Sequence, residues 1–108
     1  MIDPEKIYHE VLSCGEDFAD KKAAYEALDE NTKSVLADIT SRYLDGKTAH
    51  ATATTLALAS RDYKEHLAEV SKARRAYLVA QVRYDALKML SELRRSEEST
   101  RRAEMGLR

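Results

Sequence analysis

Between Lys47 and Met105 the chain contains neither Pro nor Gly, and inside that run Leu56, Tyr63, Val70, Tyr77 and Tyr84 recur at intervals of seven. Ala59, His66, Ala73, Ala80 and Leu87 follow each of them by three. Alternating steps of three and four return side chains to one side of an α-helix, so this repeat commits the segment to a helix with a single apolar seam. Leu67, Leu90 and Leu93 widen the stripe. The spacing predicts one helix over about 49–105, roughly 80 Å long at 1.5 Å per residue.

The N-terminal part carries a matching pattern. Asp3 suits a helix N-cap and Pro4 the first helical position, where its fixed φ helps and its missing N–H costs nothing. Ile7, Val11, Cys14, Phe18, Tyr25, Leu28, Val35, Ile39 and Tyr43 then return at helical spacing, with polar interruptions at Lys21 and Thr32. The spacing predicts a first helix over about 4–45. Gly15 and the run Asp29-Glu30-Asn31-Thr32 are the places where it can break, and a break at Asn31 would start a separate short helix carrying Val35, Leu36, Ile39 and Tyr43.

Leu44-Asp45-Gly46-Lys47-Thr48 reads as the turn, at about 45–48, with Gly46 offering a positive φ and Thr48 a cap for the second helix. The next stretch, Thr48 to Thr55, is rich in Ala and Thr. Branched Thr lowers helix propensity, which predicts fraying, whereas small side chains permit close backbone approach, which predicts a thin, tightly packed tip. Both readings stand. Elsewhere three Gly and one Pro in 108 residues leave a β-architecture without turn residues.

Two facing seams make an all-α, antiparallel, coiled-coil-like hairpin, a single domain at this length. Tyr and Ala dominate its seam, and two helices bury little. Leu36, Leu58, Leu67, Leu78, Val79, Val82 and Leu93 lie outside the narrow seam, so assembly into a dimeric or tetrameric bundle is expected. The expected self-association residues are Tyr63, Val70, Tyr77, Tyr84, Leu87, Leu90 and Leu93. Residues 1–46 carry eleven acids and five bases, and residues 47–108 thirteen bases and eight acids. The halves should therefore attract.

Catalytic chemistry finds little support, and no catalytic, cofactor or metal-ligating residue is expected. Asp62, Glu65, His66 and Glu69 cluster at helical spacing, but Tyr63 and Lys6 stand three residues before His66 and His9, where a di-iron bundle has Glu. A solvated charged face is the plainer reading. Cys14 sits on the apolar stripe and cannot form an internal disulfide alone. Neither a phosphate-binding Gly-rich loop nor a nucleophile elbow occurs. There is no apolar run long enough to span a membrane and no secretory leader pattern, so a cytoplasmic protein is expected.

Arg94-Arg95 and Arg101-Arg102 repeat an Arg pair at a spacing of seven, which stacks both pairs along one side of a helix about 10 Å apart. Such a row, extended by Arg74, Arg75 and Arg83, can follow phosphates. Glu97–Arg101, Glu98–Arg102 and Arg94–Glu98 are i,i+4 pairs that would neutralise it. The second helix is also longer than the first, so its last dozen residues should overhang, presenting Leu87, Met89, Leu90, Leu93, Met105 and Leu107 as anchors for a partner groove.

Ala59-Ser60-Arg61-Asp62-Tyr63-Lys64, Ala76-Tyr77, Arg83-Tyr84-Asp85-Ala86-Leu87-Lys88 and Leu93-Arg94-Arg95-Ser96 together resemble small helical-hairpin proteins encoded by tailed bacteriophages and prophages. The resemblance covers roughly residues 20–105. It implies an accessory role beside replication or recombination proteins and brings no catalytic residue. Leu44-Asp45-Gly46 at the turn is similar in outline to Trp-x-Gly secretion substrates, but the chain has no Trp. The expected function is non-enzymatic: binding of a phage or host protein by a homo-oligomer. The alternatives are direct nucleic-acid binding through the basic C-terminal helix and inhibition of a host defence or replication protein.

Overall fold

A computed structural model describes residues 3–106, so the expected anchor Leu107 lies outside the described residues. Every regular element in that range is an α-helix: α1 Pro4–Glu30, α2 Thr32–Tyr43, α3 His50–Leu58 and α4 Arg61–Gly106. Asp3 opens α1 as a capping residue should, its Oδ1 accepting the Glu5 N–H at 3.1 Å.

The first helix is not continuous to residue 45. It is interrupted for one residue at Asn31, where φ −78° and ψ −8° leave ψ some 30° from the helical mean. The interruption is shallow, because Asn31 N–H still reaches Ala27 O at 3.2 Å and Val35 N–H still reaches Asn31 O at 2.9 Å. Asn31 does not act as a side-chain cap. Thr32 supplies the local cause: its hydroxyl competes for the Leu28 carbonyl at 3.4 Å, next to three residues of low helix propensity or like charge.

Gly15 leaves α1 unbroken. A Cβ there would stand 3.1 Å from Tyr84 Cε1 and 3.3 Å from Cζ, so the glycine is where the Tyr84 ring meets the α1 backbone. The helix-propensity cost of glycine, about 1 kcal/mol, accompanies that close approach.

The turn works by a different device from the one its glycine suggests. Gly46 has no positive φ. Instead one oxygen of Asp45, Oδ1, accepts Lys47 N–H at 3.0 Å, Thr48 N–H at 2.9 Å and the Thr48 hydroxyl at 2.7 Å. These bonds hold the Asp45 carboxyl below the ordinary carboxylate range, the Thr48 hydroxyl first and the Lys47 N–H next. With its hydroxyl committed to Asp45, Thr48 does not cap α3, which begins at His50 after an extended Ala49 and without a side-chain cap.

The second helix is also not continuous. α3 ends at Leu58, Ala59 sits at φ −87° and ψ −5°, and Ser60 starts α4. The Ser60 hydroxyl donates to Ala57 O at 2.6 Å and its oxygen accepts the Tyr63 N–H at 3.2 Å, which is N-cap geometry onto the third helical residue. Asp62 in the first turn favours the same start electrostatically. The predicted heptads therefore lose their first member: Leu56 and Ala59 are exposed, and the seam begins at Tyr63.

The chain divides into two compact units, one made from the described parts of Met1–Asp20 and Leu78–Arg108, the other from Lys21–Tyr77. In the second unit α2 packs on α3, and Ile39, Thr40, Ala53 and Ala57 are its most buried residues. The Ala-rich stretch is thus a close-packed helix. Thr54 and Thr55 fold their hydroxyls back onto His50 O and Ala51 O at 2.9 and 3.0 Å, which satisfies them inside the helix. Three links between the helices of this unit run antiparallel: the Tyr25 and Tyr77 rings stack at 5.1 Å, Thr32 Oγ1 meets His66 Nε2 at 3.0 Å, and Arg42 pairs with Asp62 at 3.0 Å. In the first unit the Phe18 and Tyr84 rings stack at 6.0 Å, and Ile7 and Ala80 are buried.

Candidate interaction surface

The seam of α4 is occupied within the chain. Tyr63, His66, Val70, Ala73, Tyr77, Tyr84 and Leu87 are half-buried and Ala80 is buried, all on one side of the helix. Of the residues expected to drive self-association, Tyr63, Val70, Tyr77, Tyr84 and Leu87 therefore lie in this intrachain seam, and Tyr77 and Tyr84 stack on Tyr25 and Phe18. Leu90 and Leu93 remain exposed.

A second stripe occupies the opposite side. Val79, Val82, Ala86, Met89 and Leu93 also alternate steps of three and four. At 100° per residue this row is turned about 160° from the seam. All five are exposed; Val82 is 68% exposed, Met89 63% and Leu93 57%, while Leu78 and Leu90 border the row at 41% and 39%. The sequence contains this row in plain view, but the stronger Tyr heptad on the other side absorbs the periodicity and leaves these residues looking like scattered extras.

The row belongs to a chain that buries little. Its accessible surface is 8504 Å², where a monomeric globular protein of 12.2 kDa is expected to expose about 6,100 Å². Tyr8 and Leu12 on α1 are exposed as well. Knobs at heptad-spaced apolar positions are the kind that fit the holes of a facing helix.

The arginines are distributed round α4, Arg95 and Arg102 falling on the side opposite this row. Arg74, Arg75, Arg83, Arg95, Arg101 and Arg102 are exposed and Arg94 is half-buried. Among the described residues none of the seven makes an ion pair within 4.0 Å. The expected pairs Glu97–Arg101, Glu98–Arg102 and Arg94–Glu98 are open, in keeping with the entropy that long exposed side chains lose on pairing. Exposed ion pairs that do close include Lys22–Glu26, Arg42–Asp38, Arg42–Asp62, Arg61–Glu65 and Lys88–Asp85. Arg42–Asp62 joins a base of the acidic half to an acid of the basic half, so it does not express the attraction between the halves.

The carboxylate and histidine cluster is dispersed among other tasks. Asp62 pairs with Arg42, Glu65 with Arg61, and His66 with Thr32. No group of three or more potential ligands is assembled among the described residues. Cys14 is a half-buried free thiol on the inward side of α1. Among the described residues no helix is long and apolar enough to cross a membrane.

No family model matches the chain, and no curated protein or solved structure matches it either.

Proposed function

We propose that this chain is a non-enzymatic interaction protein whose working surface is the outward row of α4, from Leu78 to Leu93, offered to a helix of another macromolecule. The observation that carries the reading is the second heptad row, apolar and exposed, on a helix whose first row is already filled by its own chain. An exposed apolar row of this periodicity is a cost to an isolated protein and is relieved by docking. For its setting, the proposal follows the resemblance to small phage-encoded hairpin proteins, an accessory chain beside replication or recombination proteins. An inhibitor of a host defence or replication protein would use the same row.

Affinity purification of the tagged chain beside its Met89→Glu variant, each with and without nuclease, tests this. A nuclease-resistant set of partners that Met89→Glu loses is the expected result. Partners that Met89→Glu retains would refute the row as the working surface.

A second reading, nucleic-acid binding, is favoured by the seven arginines that close no ion pair among the described residues. Phosphate-driven binding strengthens as salt falls, so fluorescence anisotropy with single- and double-stranded oligonucleotides at about 50 mM salt is the sensitive condition. Binding there that Arg94, Arg95, Arg101 and Arg102 changed to Gln abolish would establish this reading, and no binding would remove it.

A further inference from the structure

We infer that the occupant of the α4 row is a second copy of this chain, docked antiparallel about a two-fold axis that passes beside Leu90 and Ser91. The inference rests on the proposed role of that row and names its partner. The row is long enough to receive a partner helix, since seven apolar residues from Leu78 to Leu93 stay exposed over about 22 Å of α4. What selects a second copy is that the charges flanking the row are complementary to themselves in one register.

Assigning Val79, Ala86, Leu93 and Thr100 to position a makes Val82, Met89, Ser96 and Ala103 position d of the same heptads. Arg83, Leu90 and Glu97 then occupy e, and Leu78, Asp85 and Glu92 occupy g. In an antiparallel pair a faces d of the other helix, and e and g flank the core against their own kind. In the register centred beside Leu90 and Ser91, Met89 packs on Leu93 of the second copy and Leu93 on Met89. Leu90 meets its own copy, Ala86 faces Ser96, and Val82 faces the methyl-bearing Thr100. Arg83 falls opposite Glu97, twice by symmetry. Both are exposed, and among the described residues neither makes an ion pair.

The alternatives are worse. A parallel pairing sets Glu92 against Glu97 twice. Sliding the antiparallel pair back by one heptad sets Asp85 against Glu92 twice, and by two heptads Arg83 against Arg83 and Asp85 against Asp85. Sliding it forward by one heptad keeps an attraction, Arg83 to Glu104, but puts Leu93 on Ser96 and Met89 on Thr100. The favoured register carries one like-charge meeting, Glu92 with its own copy on the axis, against two attractions. Like charges placed opposite each other are how helices reject wrong registers.

Charge exchange on the full chain reads this register directly. By sedimentation equilibrium, Arg83→Glu alone and Glu97→Arg alone should each weaken the dimer by about tenfold, as two exposed attractions become repulsions. The double exchange Arg83→Glu with Glu97→Arg should return the affinity to within about twofold of the original, and Glu92→Gln should tighten it. Residues 83 and 97 are fourteen apart on one helix, about 21 Å, so they cannot rescue each other within one chain. A monomer at 12.2 kDa up to hundreds of micromolar would overturn the inference while leaving a foreign partner for the row intact. A dimer in which the double exchange is no better than the single ones would overturn the register and with it the argument for self-complementarity. A dimer indifferent to Met89→Glu would refute the row itself, and the proposed function with it.

Discussion

Replacing Gly15 by Ala pits two terms of known sign against each other, and the structure says which residue decides the outcome. Removing a glycine from the interior of α1 contributes about 1 kcal/mol to helix stability. The new Cβ, however, arrives 3.1 Å from Tyr84 Cε1 and 3.3 Å from Cζ, a few tenths of an ångström inside ordinary carbon separation. Tyr84 has little freedom to retreat, because its ring stacks on Phe18 and carries Lys88 Nζ 4.4 Å from its centroid. Overpacking of this kind costs about 1–3 kcal/mol, so Gly15→Ala should be neutral to destabilising by about 2 kcal/mol. With Tyr84 changed to Ala the obstruction is gone, and Gly15→Ala should stabilise by about 1 kcal/mol. The sign change amounts to a coupling of at least about 1 kcal/mol in a double-mutant cycle, read by urea unfolding followed by circular dichroism. Tyr84→Phe, which keeps the ring, should leave the wild-type response in place. If Gly15→Ala stabilises equally with Tyr84 present and absent, the close approach of the ring to α1 is wrong.

Local geometry fixes three further outcomes. Ser60→Ala removes the cap that starts α4 and should cost about 1 kcal/mol in the same unfolding assay, whereas Ser60→Asp should be nearly neutral; equal stability of all three would deny Ser60 that role. Asp45, whose pKa is lowered by the Thr48 hydroxyl and the Lys47 N–H, contributes stability that is complete above the ordinary Asp value of about 3.9 and is lost as the pH falls through its lowered pKa. Asp45→Ala should therefore flatten part of the acid limb of a stability-versus-pH curve and leave the neutral region parallel to wild type; an unchanged acid limb contradicts the three-bond turn. Changing Arg94, Arg95, Arg101 and Arg102 together to Gln should leave the dimer mass unaltered, because none of them lies in the α4 row, and a monomeric variant would show that the basic end takes part in assembly.

How far the amino-acid order alone specifies this molecule is seen best at its interruptions. The seam is legible from Tyr63 onward, because burial selects for period and Tyr63, Val70, Tyr77 and Tyr84 keep it for three full heptads. The helix start at Asp3-Pro4 is legible because capping is local chemistry. The break at Ser60 is masked, although a serine followed two residues later by Asp is an N-terminal signature; the uninterrupted heptad count argues against reading it. At the turn the glycine draws attention away from Asp45, one residue earlier, whose carboxylate organises the loop without any residue entering the left-handed region. The outward row of α4 is hidden for a different reason. In the sequence its residues stand singly, as apolar positions outside the seam, and only the exposure of all five on one side shows that they form a second seam.

Everything proposed for α4 requires that second seam to be a docking surface. Sedimentation equilibrium of the wild-type chain beside Met89→Glu, at tens of micromolar and with helicity measured on both samples, addresses it most directly. A wild-type mass of about twice 12.2 kDa and a Met89→Glu mass of 12.2 kDa with equal helicity are expected, since Met89 is exposed in the single chain and its replacement disturbs nothing within it. Equal masses of about twice 12.2 kDa would refute the row as a docking surface, and equal masses of 12.2 kDa would remove the second copy as its occupant.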